Sequence, residues 1–246
     1  MKQTAIIILS TVLLFTLIKC ETTKESVDFI PYKDSLKITD HSKNIVFFLT
    51  KGQSFNHPSF VIWKEAMNGD YIETIFITKS YASGIFGHAA LSDSTWDNKQ
   101  GESIQPATLP YWTHKKGLIN NSVLVPNKKN PFIDAYTGAT PTGNFKFETS
   151  AVKETVPYRI LLEVNQAWDW NKYWTNNKFP KNNSYKHSAQ PSLIYAVTVN
   201  NTDSVYFMNP VGHGNPKGEI GTLYTNISTM TSAKDIFKTI KIVKQK

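Results

Sequence analysis

The chain has little cysteine, little arginine and little helical periodicity. Its 246 residues include one cysteine, Cys20, so no disulfide can form within the chain and no multi-cysteine metal site can be built. Of its 27 basic residues only Arg159 is an arginine. Phosphates and base edges are read by arginine's planar fork, so a formal charge of +8 argues weakly for nucleic acid, and no nucleic-acid partner is expected. Apolar residues at helical spacing are confined to about one turn each in 168–174 and 232–237. No glycine-rich phosphate loop precedes a helix, and no G-x-S-x-G elbow is present. Nucleotide chemistry and serine hydrolysis lose their usual signatures. Asp169 and Glu163 form a carboxylate pair of the kind any chain of this length offers, so a non-catalytic protein is expected. With 40% hydrophobic residues the chain is globular in composition.

The amino terminus is more informative. Lys2 is followed by an apolar-dominated run from Ala5 to Ile18, which reads as a secretory signal and is short for a membrane span. The run ends at Cys20. Leu17-Ile18-Lys19-Cys20 resembles the lipobox of bacterial lipoproteins, with Lys19 standing where that pattern carries a small residue. The expectation is a signal peptide over 1–19, a lipidated Cys20, a tether over 20–40 and a single domain over 41–246. A plain secreted protein or an uncleaved anchor are the other readings. All three put the domain outside the cytoplasm, and the lipid places it on a bacterial envelope, in the periplasm or on the outer membrane.

Period-2 apolar segments dominate the rest, at 44–50, 59–64, 71–78, 145–148, 158–164, 193–199, 205–208 and 236–243. Asn68-Gly69-Asp70 lies between two of them, and Asn-Gly suits a type I′ hairpin turn. The pattern predicts an all-β fold, an antiparallel, immunoglobulin-like β-sandwich with long inserted loops over 80–131 and 165–191. By alternation Val46, Phe48, Val61, Trp63, Ile75, Ile77, Ile160, Leu162, Val164, Ile194 and Val199 face the core, and Lys64, Glu73 and Thr78 face outward.

One short motif carries chemistry. Asp134-Ala135-Tyr136-Thr137-Gly138-Ala139-Thr140 resembles the flavinylation motif of extracytoplasmic flavin carriers. The resemblance implies FMN joined through its phosphate to Thr140 by a flavin transferase, with Asp134, Thr137, Gly138 and Ala139 shaping the acceptor. Small residues at 138 and 139 leave the backbone open to approach. The bland reading is a compact structural turn, stiffened by Pro141. Phe60-Val61-Ile62-Trp63, Leu109-Pro110-Tyr111-Trp112 and Tyr158-Arg159-Ile160-Leu161-Leu162-Glu163-Val164-Asn165 flank the motif in order. That order is similar to the bacterial periplasmic family called domain of unknown function 2271. The resemblance implies an accessory role in envelope redox or iron metabolism, with a flavin transferase or membrane reductase as partner.

The densest aromatic cluster holds Trp168, Trp170, Tyr173 and Trp174. It offers stacking faces for a glycan or a planar ring, or else anchors its own loop to the sandwich. A ligand-binding module or a structural envelope protein are therefore the alternative functions. His88, His114 and His213 would make a metal site only if their loops converged, and no spacing announces one, so no metal is expected. His213, between Gly212 and Gly214, reads as an exposed loop residue.

If Cys20 is the lipid acceptor, cells fed labelled palmitate should tag the protein, and Cys20→Ala should abolish the tag. Wild-type protein recovered unlabelled and wholly in the medium would contradict the anchor.

Overall fold

Burial divides the strands into two kinds. The computed structural model describes residues 27–35, 37–38, 44–88, 90–92, 95–119, 122–150 and 157–245. Within it Phe145–Ser150 alternates between buried and half-buried positions, whereas Ser59–Glu65 and Tyr158–Asn165 are buried almost throughout. Alternation marks a sheet with one wet face, and continuous burial marks a sheet covered on both.

The first elements are β1 (Ile30–Lys33), β2 (Asn44–Lys51), β3 (Ser59–Glu65), β4 (Tyr71–Thr78) and helix α1 (Lys79–Ser83). Short strands follow: β5 (Ile85–Phe86), β6 (Ala90–Ser92), β7 (Thr95–Trp96) and β8 (Gly101–Glu102). Helix α2 (Pro110–Lys115) precedes β9 (Leu118–Ile119), β10 (Ser122–Val123), β11 (Tyr136–Gly138), β12 (Phe145–Ser150) and β13 (Tyr158–Asn165). Helix α3 (Asn183–Ser188), β14 (Leu193–Val199), β15 (Val205–Phe207), β16 (Asn209–His213) and β17 (Phe237–Lys244) complete the order. Sheet 1 runs β1-β12-β2-β17-β15 and sheet 2 runs β11-β4-β3-β13-β14-β16. Both are antiparallel except at one edge, where β1 joins β12 and β11 joins β4 in parallel. The fold is a β-sandwich with long insertions.

Phenylalanines fill the space between the sheets. The Phe76 ring lies 5.1 Å from Phe60, 5.0 Å from Phe145 and 5.2 Å from Phe147. The outer face of sheet 2 is covered by the segment carrying α1 and α2, which buries Val61, Trp63, Ile77, Leu161 and Ile194 against Tyr81, Leu109 and Trp112. The long insertion expected over 80–131 thus contributes a third layer. Arg159, the one arginine, is spent on an internal pair with the fully buried Glu65 at 2.7 Å, and Glu65 also accepts from Trp63 Nε1.

Four expectations need correction. The core-facing residues of β2 are Ile45, Phe47 and Leu49, so Val46 and Phe48 lie on the outer face of sheet 1, Val46 still buried and Phe48 beneath the Lys241 ammonium, 4.7 Å from the ring centre. Lys64 and Thr78 are buried, because sheet 2 has no wet face in this region. At the β3–β4 hairpin only Gly69 takes a positive φ, and its N–H reaches the Ala66 carbonyl, so the turn is not type I′. The segment expected as a tether contains β1, hydrogen-bonded into sheet 1. The signal run, Lys19, Cys20 and His41 lie outside the described residues. Among the described residues no helix is long and apolar enough to cross a membrane.

Glu163 of β13 locks the third layer down. Its carboxylate is fully buried and accepts the backbone N–H groups of Tyr111 and Trp112 at 3.1 and 2.7 Å, together with the Ser192 hydroxyl. Burial raises its pKa from 4.5 to about 7, against the pull of those three donors. The folded chain therefore binds this proton more tightly than the unfolded one. The Glu163 contribution to stability is full below pH 4.5 and is lost as pH rises through about 7. Glu163→Gln should remove this decline and cost about 1–3 kcal/mol at low pH, since one backbone N–H then faces an amide N–H. Urea denaturation of both proteins across that range tests this, and parallel pH profiles would contradict it.

Candidate functional site

Strand register gathers the expected site residues at one end of sheet 2. Gly138 pairs with Thr78, whose hydroxyl accepts from the Phe60 N–H. Phe60 pairs with Val164, Val164 with Leu193, and Leu193 with His213. Thr140, the aromatic loop after Asn165 and His213 therefore emerge from the same end. Five steps of about 4.8 Å separate Gly138 from His213, roughly 24 Å in all.

The segment 134–140 is an edge strand with its flanks rather than a turn. Gly138 is required because a side chain there would meet Phe76 Cε2 at 2.8 Å. Thr137 and Ala139 are exposed, Thr140 is half-buried and Pro141 is buried. No hydrogen bond holds the Thr140 side chain among the described residues. Tyr136 stacks inward on Phe76 at 5.9 Å, which pins the strand to the core. Asp134 is exposed at the far end of β11, where it lines a cavity of about 200 Å³ with Tyr71, Lys116 and Phe132. Burial lowers the Lys116 pKa, partly offset by Asp134. Asp134 and Thr140 thus lie on opposite sides of β11 along the chain, and the aspartate does not cap a turn at the acceptor.

The aromatic cluster separates into anchors and exposed rings. Trp170 packs edge-on against Tyr185 at 5.7 Å and joins the core. Trp174 is 6% exposed and donates Nε1–H to Thr229 Oγ1 at 3.2 Å. Trp168 is 42% exposed and meets His187 edge-on, while Tyr173 is 51% exposed beneath the Lys178 ammonium. Asn171 fixes this arrangement. Its Oδ1 accepts from the Tyr173 and Trp174 N–H groups, and its Nδ2 donates to the Thr229 carbonyl.

Tyr173 and Trp174 line an open groove of about 360 Å³ that also takes in His213, Asn215, Tyr224 and Thr229. His213 is 7% exposed, not the free loop residue its neighbours suggest. It bridges backbone to backbone with Tyr224, and its ring stacks on Tyr224 at 5.2 Å and lies 5.8 Å from Trp174. The flanking glycines mark tight packing. A side chain at Gly212 would meet the Tyr224 carbonyl at 2.7 Å, and one at Gly214 would meet Ser192 Oγ at 2.5 Å. His213 Nδ1 lies 2.8 Å from the Gly214 carbonyl, which can only accept, so the proton sits on Nδ1 and Nε2 is the acceptor. Burial lowers the His213 pKa below its ordinary 6.5, against that hydrogen bond.

His88 bonds the Asp97 carbonyl, and His114 bonds those of Pro110 and Glu219. Among the described residues no three His, Cys, Asp or Glu side chains come together as a metal site.

A long-range ¹H–¹⁵N NMR titration should find His213 protonated on Nδ1 at neutral pH and titrating below 6.5. The unfolded chain binds this proton more readily, so His213 should withdraw stability as pH falls through 6.5. A proton on Nε2, or a midpoint above the ordinary value, would contradict the geometry.

Comparison with protein-family models, with curated proteins and with solved structures finds no match for this chain.

Proposed function

We propose that the protein is a non-catalytic carrier on the extracytoplasmic side of a bacterial envelope, anchored through Cys20 and bearing FMN on Thr140. Its role in this reading is accessory to envelope redox or iron metabolism, as in the family of domain of unknown function 2271 that its motif order resembles. A flavin transferase would load it, and a membrane reductase would exchange electrons with it. The observation that carries the reading is the accessibility of the acceptor: Thr140 is half-buried, with its hydroxyl unengaged among the described residues, directly after the exposed Ala139.

The residues fit the group in three respects. Among the described residues Thr140 Oγ1 makes no competing hydrogen bond, and it can take the FMN phosphate from a flavin dinucleotide, the nucleoside monophosphate leaving as the hydroxyl gives up its proton. Pro141 is buried and Gly138 is packed on Phe76, so the acceptor is held between two fixed points. The exposed side chains at 137 and 139 are small, which leaves room for the phosphate and for a transferase. Bound there, FMN supplies one- and two-electron transfer. The chain's part is to hold the phosphate end and keep the flavin from diffusing away. The aromatic loop sits at the same end of sheet 2 but three strands away, roughly 14 Å at the level of Val164.

Coexpression with a flavin transferase should add the mass of one FMN and give a fluorescent band on a denaturing gel. Thr140→Ala should remove both, and Thr137→Ala should leave them. An unmodified mass, with the transferase active on a known acceptor, would overturn the reading.

A further inference from the structure

We propose that the groove between Tyr173 and Tyr224 binds a carbohydrate ring, with His213 Nε2 accepting a hydrogen bond from a sugar hydroxyl. The site does not depend on Thr140, from which it is separated by the width of sheet 2. Its volume, about 360 Å³, falls at the lower end of clefts that hold small ligands.

The polar groups around the groove form a mixed set. Nε2 of His213 is an acceptor with no partner among the described residues, because the ring's proton is committed to the Gly214 carbonyl. Thr229 Oγ1 receives the Trp174 indole N–H and keeps its own proton to donate. The Tyr224 hydroxyl receives from Asn215 Nδ2 at 3.4 Å and likewise keeps its proton. Asn226 uses its Oδ1 on Ser228, leaving its Nδ2 to donate. An imidazole acceptor, an amide donor and two hydroxyls that can do either suit a ligand whose groups both donate and accept, which is the property of a hydroxyl.

The apolar surface agrees. His213 covers one face of the Tyr224 ring, yet the residue is 36% exposed, and the exposed Tyr173 lines the same groove. Phenol rings beside amides and hydroxyls stack on the C–H face of a pyranose while the polar groups fix its orientation. Charge does not favour an anion. The Lys217 ammonium is paired with Glu219 at 2.8 Å, and the Lys178 ammonium lies over the Tyr173 ring at 3.4 Å.

Maltotriose, mannotriose and chitotriose at millimolar concentration are the probes, with riboflavin as competitor. Saturation-transfer NMR and tryptophan fluorescence report binding to the wild-type protein. At least one trisaccharide should bind, shift the His213 Nε2 resonance, and lose about tenfold in affinity in Tyr224→Ala. Asn226→Ala, at an exposed position, should weaken binding without disturbing the fold. Binding by none of the three to folded protein would overturn the proposal. So would binding unchanged in both variants, or displacement of the sugar by riboflavin at lower concentration.

Discussion

A single carboxylate joins three parts of this molecule. Glu163 lies in the middle of sheet 2, on the face turned away from the sandwich core. A buried charge there would be costly alone, and so would the first N–H groups of a short buried helix. Each meets the other's need: α2 offers two backbone N–H groups, Ser192 a hydroxyl, and Glu163 accepts all three. The third layer is thereby fixed to β13 and β14. The chain after His213 passes directly over this knot, with the Gly214 N–H on the Ser192 carbonyl and no room for a side chain beside Ser192 Oγ and Pro110. The floor of the groove rests on the same interaction.

Much of the sandwich was legible in alternation. The runs at 71–78 and 193–199 coincide with β4 and β14, and 44–50, 59–64 and 158–164 each fall one residue short of a strand. Phase was harder than position. In β2 every residue from Asn44 to Phe47 is buried, so hydrophobicity alone does not say which face is inward. The third layer was not legible, because 79–135 has short apolar fragments and no shared period. Its signature lay in the strand it covers: Ile160-Leu161-Leu162-Glu163-Val164 is apolar on both faces and includes one carboxylate, which asks for a partner.

The two candidate sites differ in how sequence encodes them. The Asp134–Thr140 segment is contiguous, so it is visible as a motif, although its folding as an edge strand comes only from its pairing with Phe76, Ile77 and Thr78. The groove draws on residues 173–174, 213–217 and 224–229, joined by an isolated bridge between His213 and Tyr224. Nothing in the spacing of these residues links them. Gly212 and Gly214 were the available signal, and they stand for close approach of backbone rather than for freedom. Trp170 and Trp174 spend their rings on packing, and the exposed work falls to Tyr173 and Tyr224.

The dependence of both the third layer and the groove on Glu163 is testable by amide hydrogen exchange. In the wild-type protein the Trp112 N–H, bound to Glu163, and the His213 N–H, bound to the Tyr224 carbonyl, should both exchange slowly. In Glu163→Ala, under conditions where the sandwich core stays protected, both should lose protection together. Loss confined to α2, with His213 still protected, would contradict the role assigned to Glu163.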